Sequence, residues 1–291
     1  VPASAILCTC EPQANAAWEL LFRGKSLKLY DSVPLRTIPA NAITATAMSC
    51  GFASIYASLS GHNLQTAAWL VLWSVLLDKL DGSVARALKG STEFGVQFDS
   101  FADATAFGAA PAALIFAAAS QLAPQTWGSS ATFGGLPAQG LLGAICLLYA
   151  VMTAVRLARF NVTTAAIGPL LFLGLPSTLS GALLCSGFLA IFESGLDASH
   201  PAVFAILPLV ALVNAALMVC NLPLPKFKVS HHPLAKVVQL TVAVAVYIAV
   251  PLRVGMSGLF ALVLGYLLVG FGWLGPRMWA AHQRSTSPSH G

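Results

Sequence analysis

Long apolar blocks alternate with short polar segments along most of the chain. Eight blocks, near 40–60, 66–88, 96–120, 138–158, 171–192, 202–222, 236–252 and 255–274, approach the roughly 20 apolar residues that a helix needs to cross a hydrocarbon core of about 30 Å. The pattern predicts an all-α, polytopic membrane bundle of about eight transmembrane helices. Pro34 and Pro39 bracket the start of the first block, where proline suits a helix N-terminus, and the prolines of NLPLPK stop the sixth. No internal repeat divides residues 36–275, which read as one transmembrane domain. Residues 1–35 read as an N-terminal cytoplasmic tail or interfacial segment without a compact secretory core, and 276–291 as a polar C-terminal tail.

Composition agrees with this reading: 57% of the 291 residues are hydrophobic and 9% charged. The net charge of +5 becomes informative once it is assigned to loops. Arg23, Lys25, Lys28 and Arg36 precede the first block, Arg86 and Lys89 follow the second, and Arg156 and Arg159 end the fourth. Lys226, Lys228 and Lys236 follow the sixth, and Arg277 and Arg284 follow the last. The alternate loops hold no Lys or Arg apart from Arg253. This asymmetry predicts that both termini, and the loop after the second block, lie on the cytoplasmic side of the inner membrane. A basic face of this kind attracts anionic lipid, not nucleic acid. The six cysteines are scattered and suggest neither a disulfide framework nor a zinc site, with only Cys8 and Cys10 close together.

Against this background the stretch DKLDGSVARALKGSTEFGVQFDSFADA, residues 78–104, is anomalous, because it holds four aspartates. Asp78 and Asp81 are one helical turn apart, as are Asp99 and Asp103, so each pair shares a helix face. A hairpin of the second and third helices would bring all four carboxylates into one small volume. An ionised aspartate at mid-bilayer costs roughly 2.5–3.5 kcal/mol, and four together repel one another. Lys79 follows Asp78 directly and is expected to point away from the acidic face. Two hard divalent cations, Mg²⁺ or Mn²⁺, balance four carboxylates better, and paired metals of this kind clamp phosphoryl groups. Gly82 and Ala85 leave a strip of helix with little side-chain bulk. Arg86 offers a planar fork to a phosphate, and Gly95 repeats the small-then-acidic pattern before Asp99. The plainer alternative is structural: an aspartate paired with a nearby base, and small residues serving helix packing.

Written out, Asp78-x-x-Asp81-Gly82-x-x-Ala85-Arg86, eight residues, then Gly95-x-x-x-Asp99-x-x-x-Asp103, resembles the signature of the CDP-alcohol phosphotransferase family. Asn41-x-x-Thr44 is similar to that family's nucleotide-contacting pair, with Ala40 standing between Pro39 and Asn41. EFGVQFDSFADATAFGAAPA (93–112), RLARFNV (156–162), GLPS (174–177) and NLPLPKFK (221–228) resemble its phosphatidylserine synthase branch. The resemblance implies an integral membrane enzyme that transfers a phosphatidyl group from CDP-diacylglycerol to the hydroxyl of L-serine, with release of CMP. It implies two divalent cations held by Asp78, Asp81, Asp99 and Asp103, with Asp103 as general base. It also implies contacts from Asn41, Thr44, Gly82, Ala85, Arg86, Thr92 and Gly95 to the CDP donor.

A serine acceptor brings a carboxylate that should meet a cation. Arg156, Arg159 and Asn161 at the end of the fourth block, and Lys226 and Lys228 after the sixth, are the candidates; fixing orientation is an equally simple role for these bases. The expected partners are thus the two substrates and the phospholipid bilayer, with no nucleic acid, and a homodimer stays open. Two rivals remain at this level. One is the same chemistry with inositol phosphate, glycerol phosphate or choline. The other is a cation or proton transporter using the intramembrane acids, although such proteins usually carry repeats and midplane acids.

Overall fold

The computed structural model describes residues 35–61, 63–88, 92–167, 171–196, 200–225, 244–274 and 276–277. Within these the chain is almost entirely helical. α1 (Ile38–Leu59) and α2 (Leu64–Ala87) form an antiparallel pair. α3 (Glu93–Asp103) passes through a π-helical turn, Ala104–Ala109, into α4 (Ala110–Leu122). A short α5 (Pro124–Trp127) and a hairpin of β1 (Thr132–Phe133) with β2 (Leu136–Pro137) lead into α6 (Ala138–Ile167). β3 (Leu171–Leu173), α7 (Ser177–Glu193), α8 (Pro201–Ala205), α9 (Leu207–Val219) and β4 (Pro223–Pro225) follow. Residues 244–252 form α10, and α11 spans Met256–Val269.

Among the described residues, four helices are long and apolar enough to cross a membrane: Ile38–Leu59, Glu93–Leu122, Ala138–Val162 and Pro201–Val219. Ser177–Glu193 and Met256–Gly272 are apolar but shorter. α2 has the length, but Asp78, Lys79, Asp81 and Arg86 interrupt its apolar run. The block near 171–192 is a strand before it is a helix, because Gly174 adopts φ +74° and Pro176 starts α7. Residues 236–243 of the block near 236–252 lie outside the described residues. Phe52, Leu147, Leu209 and Leu268 are each more than half exposed. Such apolar surface suits acyl chains and not water, as expected of a helical membrane protein.

Small residues and hydroxyls set the close approaches. Ser54 donates to the Ala67 carbonyl at 2.8 Å and Ser74 to the Ala47 carbonyl at 2.9 Å, which stitches α1 to α2. A Cβ on Gly51 would meet the Ala106 Cα at 2.9 Å, so α1 lies directly on the backbone of the π turn. Pro111 has no amide to offer the Phe107 carbonyl one turn before it. The buried Tyr149 hydroxyl donates to that oxygen at 2.9 Å and lies 3.0 Å from Ser180 Oγ. This joins α6 and α7 to the π turn, which immediately follows Asp103.

Candidate active site

α1 packs along α2 and also against α3, whereas α2 and α3 pack mainly on α1 and little on each other. The expected hairpin is therefore opened into a cleft floored by α1. The cleft is a cavity of about 220 Å³ lined by Ala40, Asn41, Thr44, Asp81, Gly82, Ala85, Arg86, Thr92, Gly95, Val96 and Asp99. It gathers all seven residues expected on the donor side, drawn from three separate helices. Ala40 and Val96 complete the lining and carry no chemical signal in the sequence.

Local chemistry explains how the walls are held. Thr92 caps α3 by accepting the Gly95 amide at 3.1 Å. A Cβ at Gly95 would stand 3.3 Å from Thr92 Oγ1 and 3.4 Å from Asn41 Oδ1, so glycine here lets the Asn41 side chain reach α3. Gly82 leaves room for the Arg86 guanidinium, whose Nη1 would lie 3.5 Å from a Cβ at that position, and Arg86 is exposed at the rim. The Thr44 hydroxyl lies 2.7 Å from Asp81 Oδ2, to which it donates, and 3.1 Å from the Ala40 carbonyl.

Beside this cavity, carboxylate oxygens of Asp78, Asp99 and Asp103 lie within 4.8 Å of one another. Three of the four aspartates converge as expected. The fourth, Asp81, is buried against Thr44 and faces the cavity, where Asp99 joins it. The donor set suits a hard divalent cation: its ligand atoms are carboxylate oxygens, and Lys79 forms an ion pair with one of them, that of Asp78. That pair corrects the sequence expectation. Lys79 does not point away: its long stem folds back, and Nζ donates to Asp78 Oδ2 at 2.8 Å. Helical periodicity fixes the Cβ direction and leaves the end of a four-carbon side chain undetermined.

Arg156 is buried, donates from Nη1 to Ser177 Oγ at 2.8 Å, and stands 5.2 Å from the Phe160 ring centroid. Its charge acts on Asp103 and Asp78, which puts it beside the cluster. Arg159, expected beside it, turns elsewhere. It donates to the carbonyls of Leu173, Met218, Val219 and Cys220 and to Asn221 Oδ1, at 2.7 to 3.4 Å. Asn161 donates to Ser100 Oγ at 3.0 Å, linking α6 to α3. Lys226 and Lys228 lie outside the described residues. Ser177 carries no chemical signal of its own in the sequence; it stands at the end of the GLPS segment.

A family model for CDP-alcohol phosphatidyltransferase matches residues 37–274. Among curated proteins, the CDP-diacylglycerol--serine O-phosphatidyltransferase of Helicobacter pylori strain J99 is 35% identical over 151 residues, covering 52% of this chain and 56% of that protein. The Bacillus subtilis protein of the same name is 30% identical over 143 residues, 49% of this chain and 70% of that protein. The archaetidylserine synthase of Methanothermobacter thermautotrophicus is 36% identical over 154 residues, 52% of this chain and 58% of that protein. The chain spans about half the length of several of the curated relatives it matches. A family match over most of the described helices, together with a cleft that assembles the motif residues beside a carboxylate cluster, means that this chain belongs to the CDP-alcohol phosphatidyltransferase family.

Proposed function

We propose that the chain transfers the phosphatidyl group of CDP-diacylglycerol to the hydroxyl of L-serine, forming phosphatidylserine and CMP. The observation that carries this reading is the continuity of the small cavity with the carboxylate cluster, Asp99 lining the first and belonging to the second. A cytidine diphosphate head held by Asn41, Thr44, Gly82, Ala85, Arg86, Thr92 and Gly95 would bring its pyrophosphate to the aspartates. The lipid tails would remain in the surrounding membrane.

Asp78, Asp81, Asp99 and Asp103 would hold two divalent cations, Mg²⁺ or Mn²⁺. When bound, these would supply positive charge to the pyrophosphate and to the departing CMP. The protein's own work is positioning and proton transfer. Asp103 accepts the proton of the serine hydroxyl, and the serine oxygen forms a bond to the phosphorus that carries the diacylglycerol. The bond from that phosphorus to the CMP oxygen breaks, and CMP leaves with the electron pair. A positioned carboxylate base contributes about 10²–10⁴ in rate. Arg156 binds the serine carboxylate, and Ser177 holds the guanidinium in place. Arg159 is assigned to the scaffold, because its hydrogen bonds run to backbone carbonyls and Asn221.

Relatives named for transfer to serine support this acceptor over inositol phosphate, glycerol phosphate or choline. The relative named archaetidylserine synthase supports a second reading, in which serine is kept and the donor is an ether lipid. The distribution of Lys and Arg supports an eight-span topology with both termini and the aspartates on the cytoplasmic side of the inner membrane. The deciding assay mixes purified protein with CDP-diacylglycerol and Mn²⁺ or Mg²⁺. CMP release is compared with serine, glycerol 3-phosphate, inositol phosphate and choline, and then with an ether-lipid donor. Metal-dependent release with serine alone is expected. Absence of metal-dependent CMP release with every alcohol would defeat the reading, and cation flux into vesicles holding the protein would then favour a transporter.

A further inference from the structure

Lys79 is the charged residue at the site that the proposed reaction leaves without a task. On α2 it follows Asp78, so the two Cβ atoms leave the helix roughly 100° apart. The lysine stem nevertheless curls back to put Nζ 2.8 Å from Asp78 Oδ2. The same ammonium acts on Asp103 and Asp99, the other two members of the cluster. The ends of the pair differ in freedom: the lysine side chain is 62% exposed, the aspartate 13%. Asp78 lies among its acidic neighbours, while the ammonium sits at the end of a flexible stem that can carry it away.

We propose that Lys79 is a tethered cation that competes with the divalent metal for Asp78 and thereby sets the metal affinity of the cluster. The inference rests on reading the aspartates as a metal site. A cation ligated by Asp78 takes up lone pairs that the ammonium now uses and brings a second positive centre beside it, so binding requires the ammonium to give way. Without metal, the ammonium offsets repulsion among three carboxylates in surroundings poor in water. Arg156 acts on Asp103 and Asp78 from a fixed, buried position held by Ser177, and no hydrogen bond joins it to the Asp78 oxygen that the ammonium occupies. Metal uptake at this site is therefore an exchange of one cation for another.

The test uses the full chain in detergent with Mn²⁺ alone, free Mn²⁺ being followed by electron paramagnetic resonance. Lys79→Gln is expected to bind Mn²⁺ about tenfold more tightly than the unaltered protein, and Lys79→Arg, which keeps the charge, to stay close to it. Without metal, Lys79→Gln should melt below the unaltered protein, and saturating Mn²⁺ should remove the deficit. For a variant stable only with metal, the protein is purified in Mn²⁺ and the release rate after chelation is read, with about tenfold slowing expected. Equal or weaker binding by Lys79→Gln, or unchanged release, overturns the role of Lys79 alone. Failure of the unaltered protein to bind Mn²⁺ overturns the metal site as well.

Discussion

Arg159 Nη1 donates to the Val219 carbonyl at 2.7 Å, across 60 residues of sequence. Its other hydrogen bonds reach Leu173, Met218, Cys220 and Asn221. The last carbonyls of α9 lack partners within their own helix, and the guanidinium fork supplies them. Gly174 is pressed into the same knot, since a Cβ there would lie 2.6 Å from the Met218 carbonyl. The motif arginines one turn apart thus have different work. Arg159→Ala is expected to lower stability by about 2 kcal/mol through lost charge-assisted bonds, with a nearly unchanged serine KM in the protein that remains folded. Arg156→Ala is expected to raise the serine KM roughly 10- to 100-fold. Thermal unfolding and acceptor titration separate the two. A serine KM unmoved by Arg156→Ala would remove Arg156 from the acceptor site.

Asp103→Asn keeps the shape of the cluster and removes the proton acceptor. The expected outcome is a fall in kcat of about 10²-fold or more, with CDP-diacylglycerol binding largely retained. Single-turnover measurement of CMP release, alongside equilibrium binding of the donor, checks both halves of the statement.

Gly95→Ala tests the cavity. The new methyl would stand between Thr92 Oγ1 and Asn41 Oδ1 at 3.3 and 3.4 Å, forcing one of them to move. A well-packed site resists such insertion by about 1–3 kcal/mol, so the donor KM should rise roughly tenfold while the serine KM stays near its original value. Equal changes in both constants would place the disturbance elsewhere.

Tyr149→Phe removes the hydroxyl that serves the Phe107 carbonyl and Ser180. Leaving those buried groups short of a partner should cost about 1–3 kcal/mol, read as a lower melting temperature in detergent. Because the π turn starts directly after Asp103, kcat should fall as well, whereas donor binding in the cavity beyond Asp99 should change little.

The acidic motif and its helices are legible in the sequence because they depend on spacing along one helix, and the donor-side residues that line the cavity are legible through the family resemblance of their motifs. The cleft itself is less so. α1 intervenes between α2 and α3 because Gly51, Ser54 and Ser74 permit a close approach, and glycine and serine in a lipid-exposed helix look the same whether they pack or not. The ammonium of Lys79 ends where periodicity does not predict, because periodicity fixes the Cβ direction and not the end of a long side chain. Arg156 and Arg159 were found together by spacing and charge, but their different roles depend on Ser177 and on the α9 carbonyls, which are remote in sequence. Likewise the strand at Leu171–Leu173 exists through pairing with Pro223–Pro225, a long-range partnership that an apolar run cannot announce.

The Arg159 knot also orders the protein's birth. Chains emerge N-terminus first and domains organise as they appear, so α1, α2 and α3 can assemble the cavity and the carboxylate cluster once Asp103 has been made. Arg156 and Arg159 follow, yet Arg156 waits for Ser177, and Arg159 for the carbonyls of Met218 to Cys220. A nascent chain halted after α6 would hold the acidic half of the site next to two arginines still without these partners. Arg156 thus gains its partner with the start of α7, whereas the Arg159 knot closes only when the end of α9 has been made, long after the carboxylate cluster has been translated.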